Sequence, residues 1–217
     1  MKTIKNCIFD FDGTLVDSFK DVRESLAHAF ASCDINVKKL KPEIIMQLQL
    51  FDAIQSVAPE ITKEQRERVI SVFKEQYDKS DYPNTHLMPG VLELLNGLKK
   101  KAIPCFIVSN KRRKPTLRIL NNLKLNLFFT EIFNPDMYSD SVINKTKSQL
   151  ISAAIAKYNL SKDETAYVGD MEADVIAAKE NGLIAAVIHN GYGNADICKI
   201  RPDYMMHRIS EILEIVQ

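Results

Sequence analysis

The chain has 217 residues, 46% of them hydrophobic and 26% charged, enough for one good core or one core plus a small accessory domain. The formal net charge of +1 supplies no whole-molecule field to recruit nucleic acid or an anionic membrane, and no stretch approaches a membrane span. Neither nucleic acid nor a membrane is therefore an expected partner. The start, Met1-Lys2-Thr3-Ile4, enters an apolar run without a signal-peptide layout, so a cytoplasmic location is expected. Cys7, Cys33, Cys105 and Cys198 have no zinc-site spacing. Cys7 and Cys105 lie in apolar runs and read as buried, reduced thiols.

In chain order, Ile4 to Phe9 is a short apolar run ending in a carboxylate and reads as a buried strand. The next segment, 18–82, carries only helical signals. Phe19, Val22, Leu26 and Phe30 share one helical face; Pro42 opens a second helical stretch through Ile45, Leu48 and Ile54; Thr62-x-x-Gln65 caps a third through Val69, Val72, Phe73 and Tyr77. Leu94, Leu95 and Leu98 mark a helix before the strand Ile103–Val108, and Thr146-x-x-Gln149 caps a helix through Leu150, Ile151, Ala154 and Tyr158. The strand Thr165–Val168, a helix over Asp174–Lys179 stopped by Asn181-Gly182, and the strand Ile184–Ile188 complete the pattern. Continuous apolar strands alternating with helices predict an α/β fold with a parallel sheet covered on both faces. The helical segment reads as an insertion, which gives a core of 1–17 and 83–217 and an inserted domain of 18–82.

Three strand runs end in chemically capable groups: Asp10-Phe11-Asp12-Gly13-Thr14, Ser109-Asn110 and Gly169-Asp170-Met171-Glu172-Ala173-Asp174. Ligands of open α/β sheets bind at the carboxyl ends of strands, so these groups can converge. Asp10 and Asp12, two apart in extended chain, point to one side and repel unless a cation or shared proton intervenes. With Asp170 the set is rich in hard oxygen donors, which suits Mg²⁺. A carboxylate can attack phosphorus, the Ser109 hydroxyl and N–H can hold a phosphate oxygen, a nearby lysine can offset charge, and Gly13 permits a tight turn.

Asp10-Phe-Asp-Gly-Thr-Leu-Val-Asp-Ser18 resembles the first motif of the haloacid dehalogenase-like hydrolase superfamily; Ser109-Asn110 resembles its second motif and Gly169-Asp170-x-x-x-Asp174 its fourth. The likeness spans nearly the whole chain and is greatest to the phosphoglycolate phosphatase-like branch. It implies a three-layer Rossmann-like core with an inserted α-helical bundle cap, acting as a Mg²⁺-dependent phosphatase on a small phosphorylated metabolite, as monomer or homodimer. By the same resemblance Asp10 is the nucleophile and a metal ligand. Asp12 is the general acid/base and binds metal through its carbonyl. Ser109 and Asn110, with Gly13 and Thr14, hold the phosphoryl group. Asp170 completes the metal site, and Asp174 stands behind it, orienting a lysine. That lysine is Lys147 by preference, with Lys145 as the alternative. A phosphomutase or pyrophosphatase of the same superfamily, a phosphate-accepting signalling domain and a non-catalytic binding domain are the competing readings.

The basic run Lys111-Arg112-Arg113-Lys114 has no interleaved aromatics and is expected to be a solvated loop, with a place after Ser109-Asn110 from which one residue could attract an anionic substrate. His28, His86, His189 and His207 form no constellation. Relatives often carry a glycine in the cap loop; Met46 to Phe51 has none, which leaves the substrate open.

Overall fold

A computed structural model of the chain describes residues 3–37, 39–137, 146–193 and 199–216. After β1 (Asn6–Phe9) and β2 (Val16–Asp17) come four helices, α1 (Phe19–Ala31), α2 (Pro42–Ile45), α3 (Leu50–Val57) and α4 (Lys63–Lys79). The chain returns through β3 (His86–Leu87) and continues as α5 (Val91–Lys100), β4 (Cys105–Val108), α6 (Arg113–Asn122), β5 (Glu131–Phe133), α7 (Lys147–Tyr158), β6 (Thr165–Gly169), α8 (Glu172–Glu180), β7 (Ile184–Ile188) and β8 (Tyr204–Met206). It divides into two compact units, 1–16 with 87–217, and 17–86. The two crossings between them, β2 and β3, pair as a two-stranded sheet.

The larger unit is built on a six-stranded sheet of order β5-β4-β1-β6-β7-β8, parallel throughout. Ile8, Phe106, Val108 and Tyr167 pack with Leu150, Ile151 and Ala154 of α7 and Val175 and Ala178 of α8. Their strand neighbours Cys7, Phe9 and Ile107 point to the opposite face and are equally buried, so both faces are covered, as the apolar runs predicted. Each such fully buried side chain contributes on the order of 2 kcal/mol of transfer free energy. Cys7 and Cys105 are level on adjacent strands and carry free thiols. Burial pushes Cys105 up to about 12, which keeps its thiol protonated and unreactive.

The edge strands β5 and β8 and the helix α6 had no counterpart among the predicted elements. The edge strands are three residues each, too short to show a period. In α6 the buried positions Pro115, Thr116, Ile119 and Leu120 include a proline and a threonine, which blurs the apolar stripe. The expected strand from Ile103 begins at Cys105, because Pro104 has no N–H to give a ladder.

In the helical unit α1 packs on α4; Leu26, Ala29 and Phe30 are buried on the one helix and Val69, Phe73 and Tyr77 on the other. The expected single stretch from Pro42 is broken between Met46 and Gln49 into α2 and α3. Ile45 and Ile54 are both buried, yet in one continuous helix, at about 100° per residue, they would lie on opposite faces; the break brings both inward. Buried Asp21 accepts hydrogen bonds from the Asn84 N–H at 3.1 Å, the Asn84 amide at 2.9 Å and the Thr85 hydroxyl at 2.6 Å. It thereby ties the start of α1 to the returning chain. Among the described residues no helix is long and apolar enough to cross a membrane.

Helix α7 starts with a reciprocal cap: the Gln149 N–H donates to Thr146 Oγ1 at 3.3 Å and the Thr146 N–H to Gln149 Oε1 at 2.9 Å. Thr146→Ala removes one half of it and is expected to lower stability by about 1 kcal/mol, read as a lower urea midpoint at unchanged slope.

Candidate active site

The register of the sheet gathers the chemical groups. Phe9 is level with Ile107 on β4 and with Val168 on β6, so Asp10, Ser109 and Asp170 leave three adjacent parallel strands at the same edge. The Asp10 N–H continues the ladder onto Val168 O at 2.9 Å, and the Ser109 N–H donates to Phe133 O at 3.1 Å. After Asp12 the chain turns back at Gly13, whose φ is +85°, a left-handed conformation that glycine adopts without strain. A Cβ there would also collide with Tyr192 and the Asp170 carboxylate.

Asp10, Asp170 and Asp174 are buried and bring carboxylate oxygens within 4.8 Å of one another. Lys147, at the first position of α7, places its ammonium 3.0 Å from Asp10 Oδ1 and 2.5 Å from Asp174 Oδ1. Burial alone would lower the Lys147 pKa, but the Asp10 and Asp174 carboxylates outweigh it and hold this lysine well above its ordinary value. One ammonium does not balance three buried carboxylates. Desolvation, reinforced by Asp174, raises Asp10 to about 7 against the pull of Lys147. Desolvation together with Asp174 and Asp10 raises Asp170 well above the carboxylate range.

The three acids are not equivalent. Asp174 Oδ2 accepts the N–H groups of Asp170 at 3.1 Å and Met171 at 2.9 Å, and its Oδ1 accepts Lys147 and lies 3.3 Å from the Tyr167 hydroxyl. With that many donors Asp174 fixes the start of α8 and the lysine and has little left for a cation. Asp170 accepts Thr14 Oγ1 at 3.1 Å on one oxygen and the Tyr192 N–H at 2.6 Å on the other, which leaves a lone pair on each. Asp10 and Asp170 therefore form a hard-oxygen pair with surplus negative charge, a donor set that fits a divalent cation of the Mg²⁺ kind.

The remaining predicted residues fall as follows. Ser109 is buried and its Oγ accepts the Lys111 N–H at 3.2 Å, whereas Asn110 is exposed. The Gly13 N–H is taken by Val16 O at 2.8 Å, and the Thr14 hydroxyl faces Asp170. Lys145 lies outside the described residues. Lys111 corrects the expectation of a solvated run: its side chain is only 7% exposed and its ammonium lies 3.0 and 3.2 Å from the two oxygens of Asp12. Arg112 and Arg113 are half-buried, Arg113 opens α6, and only Lys114 of the run is exposed. The sequence signal for Lys111 was position, two residues beyond Ser109; composition placed it with the rest of the charged run. Gly191-Tyr192-Gly193 is a part of the chain that carries the family resemblance, but the sequence assigned no role to Gly191 or Tyr192: Tyr192 serves through its backbone N–H, and at Gly191 a Cβ would clash with Asp170.

The raised Asp10 pKa has a defined sign for stability. With an unfolded value of 3.8 and a folded value of about 7, the group's contribution is fully present below the unfolded value and is lost as pH rises through the folded one. In EDTA, Asp10→Asn is expected to gain stability over the unmodified chain as pH goes from 5 to 8, by on the order of a few kcal/mol. Thermal midpoints across that range measure it, and a difference that does not change with pH would contradict it.

A family model described as haloacid dehalogenase-like hydrolase matches residues 7–188. A phosphoglycolate phosphatase of Vibrio cholerae serotype O1 is 25% identical over 225 residues, covering 100% of this chain and 98% of that protein. One from Chromobacterium violaceum is 27% identical, with 100% and 98% covered. A solved haloacid dehalogenase-like family hydrolase from Streptococcus pneumoniae superposes with a TM-score of 0.85 at 25% identity, with 99% of each chain covered. The fold is shared with a structure from Haemophilus somnus described as a predicted phosphoglycolate phosphatase, at a TM-score of 0.87, 24% identity and 100% coverage of both. With the family's sequence pattern running through Asp10, Ser109 and Asp170, the residues gathered at one edge of the sheet, the chain belongs to the haloacid dehalogenase-like hydrolases.

Proposed function

We propose that the protein is a phosphatase that hydrolyses a small phosphate monoester through an aspartyl-phosphate on Asp10. The observation that carries the reading is the buried ion pair of Lys147 with Asp10 and Asp174, set beside Asp170 and Asp12 at the sheet's carboxyl edge. A nucleophilic carboxylate must approach a phosphoryl group that is itself negatively charged, and a fixed ammonium next to it offsets that repulsion.

In the first half-reaction an Asp10 oxygen forms a bond to phosphorus as the bond to the leaving oxygen breaks, and Asp12 gives that oxygen its proton. In the second, water attacks the same phosphorus and Asp12 takes the water's proton. The acyl-phosphate bond then breaks, releasing phosphate and restoring Asp10. The Ser109 hydroxyl and the Lys147 ammonium hold the transferring oxygens, and Asp174 keeps the lysine in place. Asp10, Asp170 and the Asp12 carbonyl would hold Mg²⁺, which supplies positive charge against the carboxylates and the phosphoryl oxygens. Relatives named phosphoglycolate phosphatase support a small, metabolite-sized substrate of that type. Every residue given a role in this chemistry belongs to the α/β unit.

Phosphate release from p-nitrophenyl phosphate, 2-phosphoglycolate and other small esters, with Mg²⁺ or with EDTA, tests this. Turnover is expected only with the cation. Asp10→Asn is expected to remove it to background, because the uncatalysed reaction is immeasurably slow. Lys147→Ala is expected to lower kcat by roughly 10²–10³ and to cost more than Lys145→Ala. Full turnover in Asp10→Asn would sink the reading.

A further inference from the structure

Asp12 carries both proton transfers in the proposed cycle, and a carboxylate turns easily about its last torsion, whose energy wells are broad. Something has to hold it. The Lys111 ammonium meets both of its oxygens, at 3.0 and 3.2 Å, and a grip on both oxygens fixes the plane of the group as a single hydrogen bond does not. Lysine is usually a flexible, solvated side chain, but here it is 7% exposed while its Asp12 partner is 20% exposed. The cation is therefore the packed member and the acid the accessible one.

The backbone of Lys111 is fixed as well. Its N–H donates to Ser109 Oγ at 3.2 Å, and its carbonyl accepts the side-chain amide of Asn134 at 2.7 Å. Asn134 follows β5, is fully buried and also donates to Thr116 Oγ1 at 3.3 Å, while its own Oδ1 has no partner among the described residues. A buried amide with an unmatched oxygen costs stability that an apolar side chain would not, and its placement is explained if the amide serves to hold the segment carrying Lys111.

We propose that Lys111, anchored by Asn134, is a positioning residue that aims the Asp12 carboxylate at the leaving oxygen. The assignment rests on the reading of Asp12 as the general acid. As the Asp12 O–H proton passes to the leaving oxygen and the P–O bond breaks, negative charge grows on the Asp12 oxygens facing the ammonium. Lys111 keeps its own protons throughout and touches neither phosphorus nor the leaving group.

The test uses two esters that differ in their need for that proton. An alkyl phosphate leaves as a strongly basic alkoxide unless protonated, whereas p-nitrophenolate departs without help. Their kcat/KM values report steps only through departure of the leaving group, so hydrolysis of the aspartyl-phosphate does not enter. Lys111→Met is expected to lower kcat/KM for the alkyl ester ~10–100-fold more than for p-nitrophenyl phosphate, a part of the usual worth of a general acid. Lys111→Arg, which can still grip two oxygens, is expected to restore most of the ratio. Asn134→Leu is expected to shift it in the same direction by less, and it provides a second route if Lys111→Met does not fold. Loss of folded material lowers both esters alike and cancels in the ratio. Equal falls for both esters would overturn the assignment and leave Lys111 as a substrate-attracting or purely structural cation. If the unmodified chain cleaves neither ester in an Asp10-dependent way, the underlying phosphatase reading fails, and this assignment with it.

Discussion

The structure of the larger unit is organised around an imbalance of charge. Three carboxylates are buried within reach of one another, and Lys147 is the ammonium set between two of them. Removing even one ionised carboxylate from water is expensive, and here the expense is met by aimed donors. Asp170 and Met171, just ahead of α8, give their N–H groups to Asp174, and Tyr192 gives its N–H and Thr14 its hydroxyl to Asp170. What those donors leave uncompensated appears as the raised pKa values of Asp10 and Asp170, and that residue of negative charge is what makes the site receptive to a cation.

The fold explains how groups so far apart in the chain arrive together. Parallel strands all end at one edge, and the order β4-β1-β6 puts the strands carrying Ser109, Asp10 and Asp170 side by side. The helices that follow do the remaining positioning: α7 opens with Lys147 directly after its cap, and α8 opens so that Asp174 reaches back to the turn before it. Close backbone approach then becomes necessary, and Gly13 and Gly191 stand where a Cβ would strike Asp170. Hydrogen bonding, helix starts and missing side chains thus act on the same small group of carboxylates.

The helical unit obeys simpler rules. Its core is aromatic and aliphatic, with Phe73 stacked on Tyr77 at 5.3 Å between ring centroids, and its polar anchor is Asp21. Leu48 and Phe51 remain 43% and 47% exposed, and the Arg66 guanidinium lies over the Phe51 ring at 4.4 Å. Leu48 and Phe51 belong to the glycine-free stretch from Met46 to Phe51 and, with Arg66, give the unit a surface chemistry of its own.

The linear order of residues was sufficient for the buried strands, for the capped helices α4 and α7, and for the resemblance carried by Asp10 to Ser18, because apolar runs, capping boxes and a nine-residue motif are local signals. It was insufficient for β5, β8 and α6, whose apolar pattern is short or interrupted, and for the break between α2 and α3, which only the shared burial of Ile45 and Ile54 requires. Within the site, composition assigned Lys111 to a solvated basic run, and nothing local distinguishes it from Arg112 or Arg113. Its burial against Asp12, the Asn134 bond behind it and the use of the Tyr192 N–H depend on segments 22 to 99 residues apart being brought together by the register of the sheet. By itself the sequence determined which chemical groups stand at the ends of its strands. Which of them share a carboxylate, and which cation is packed rather than hydrated, was decided only by the tertiary structure, because desolvation and pairing are properties of the assembled sheet.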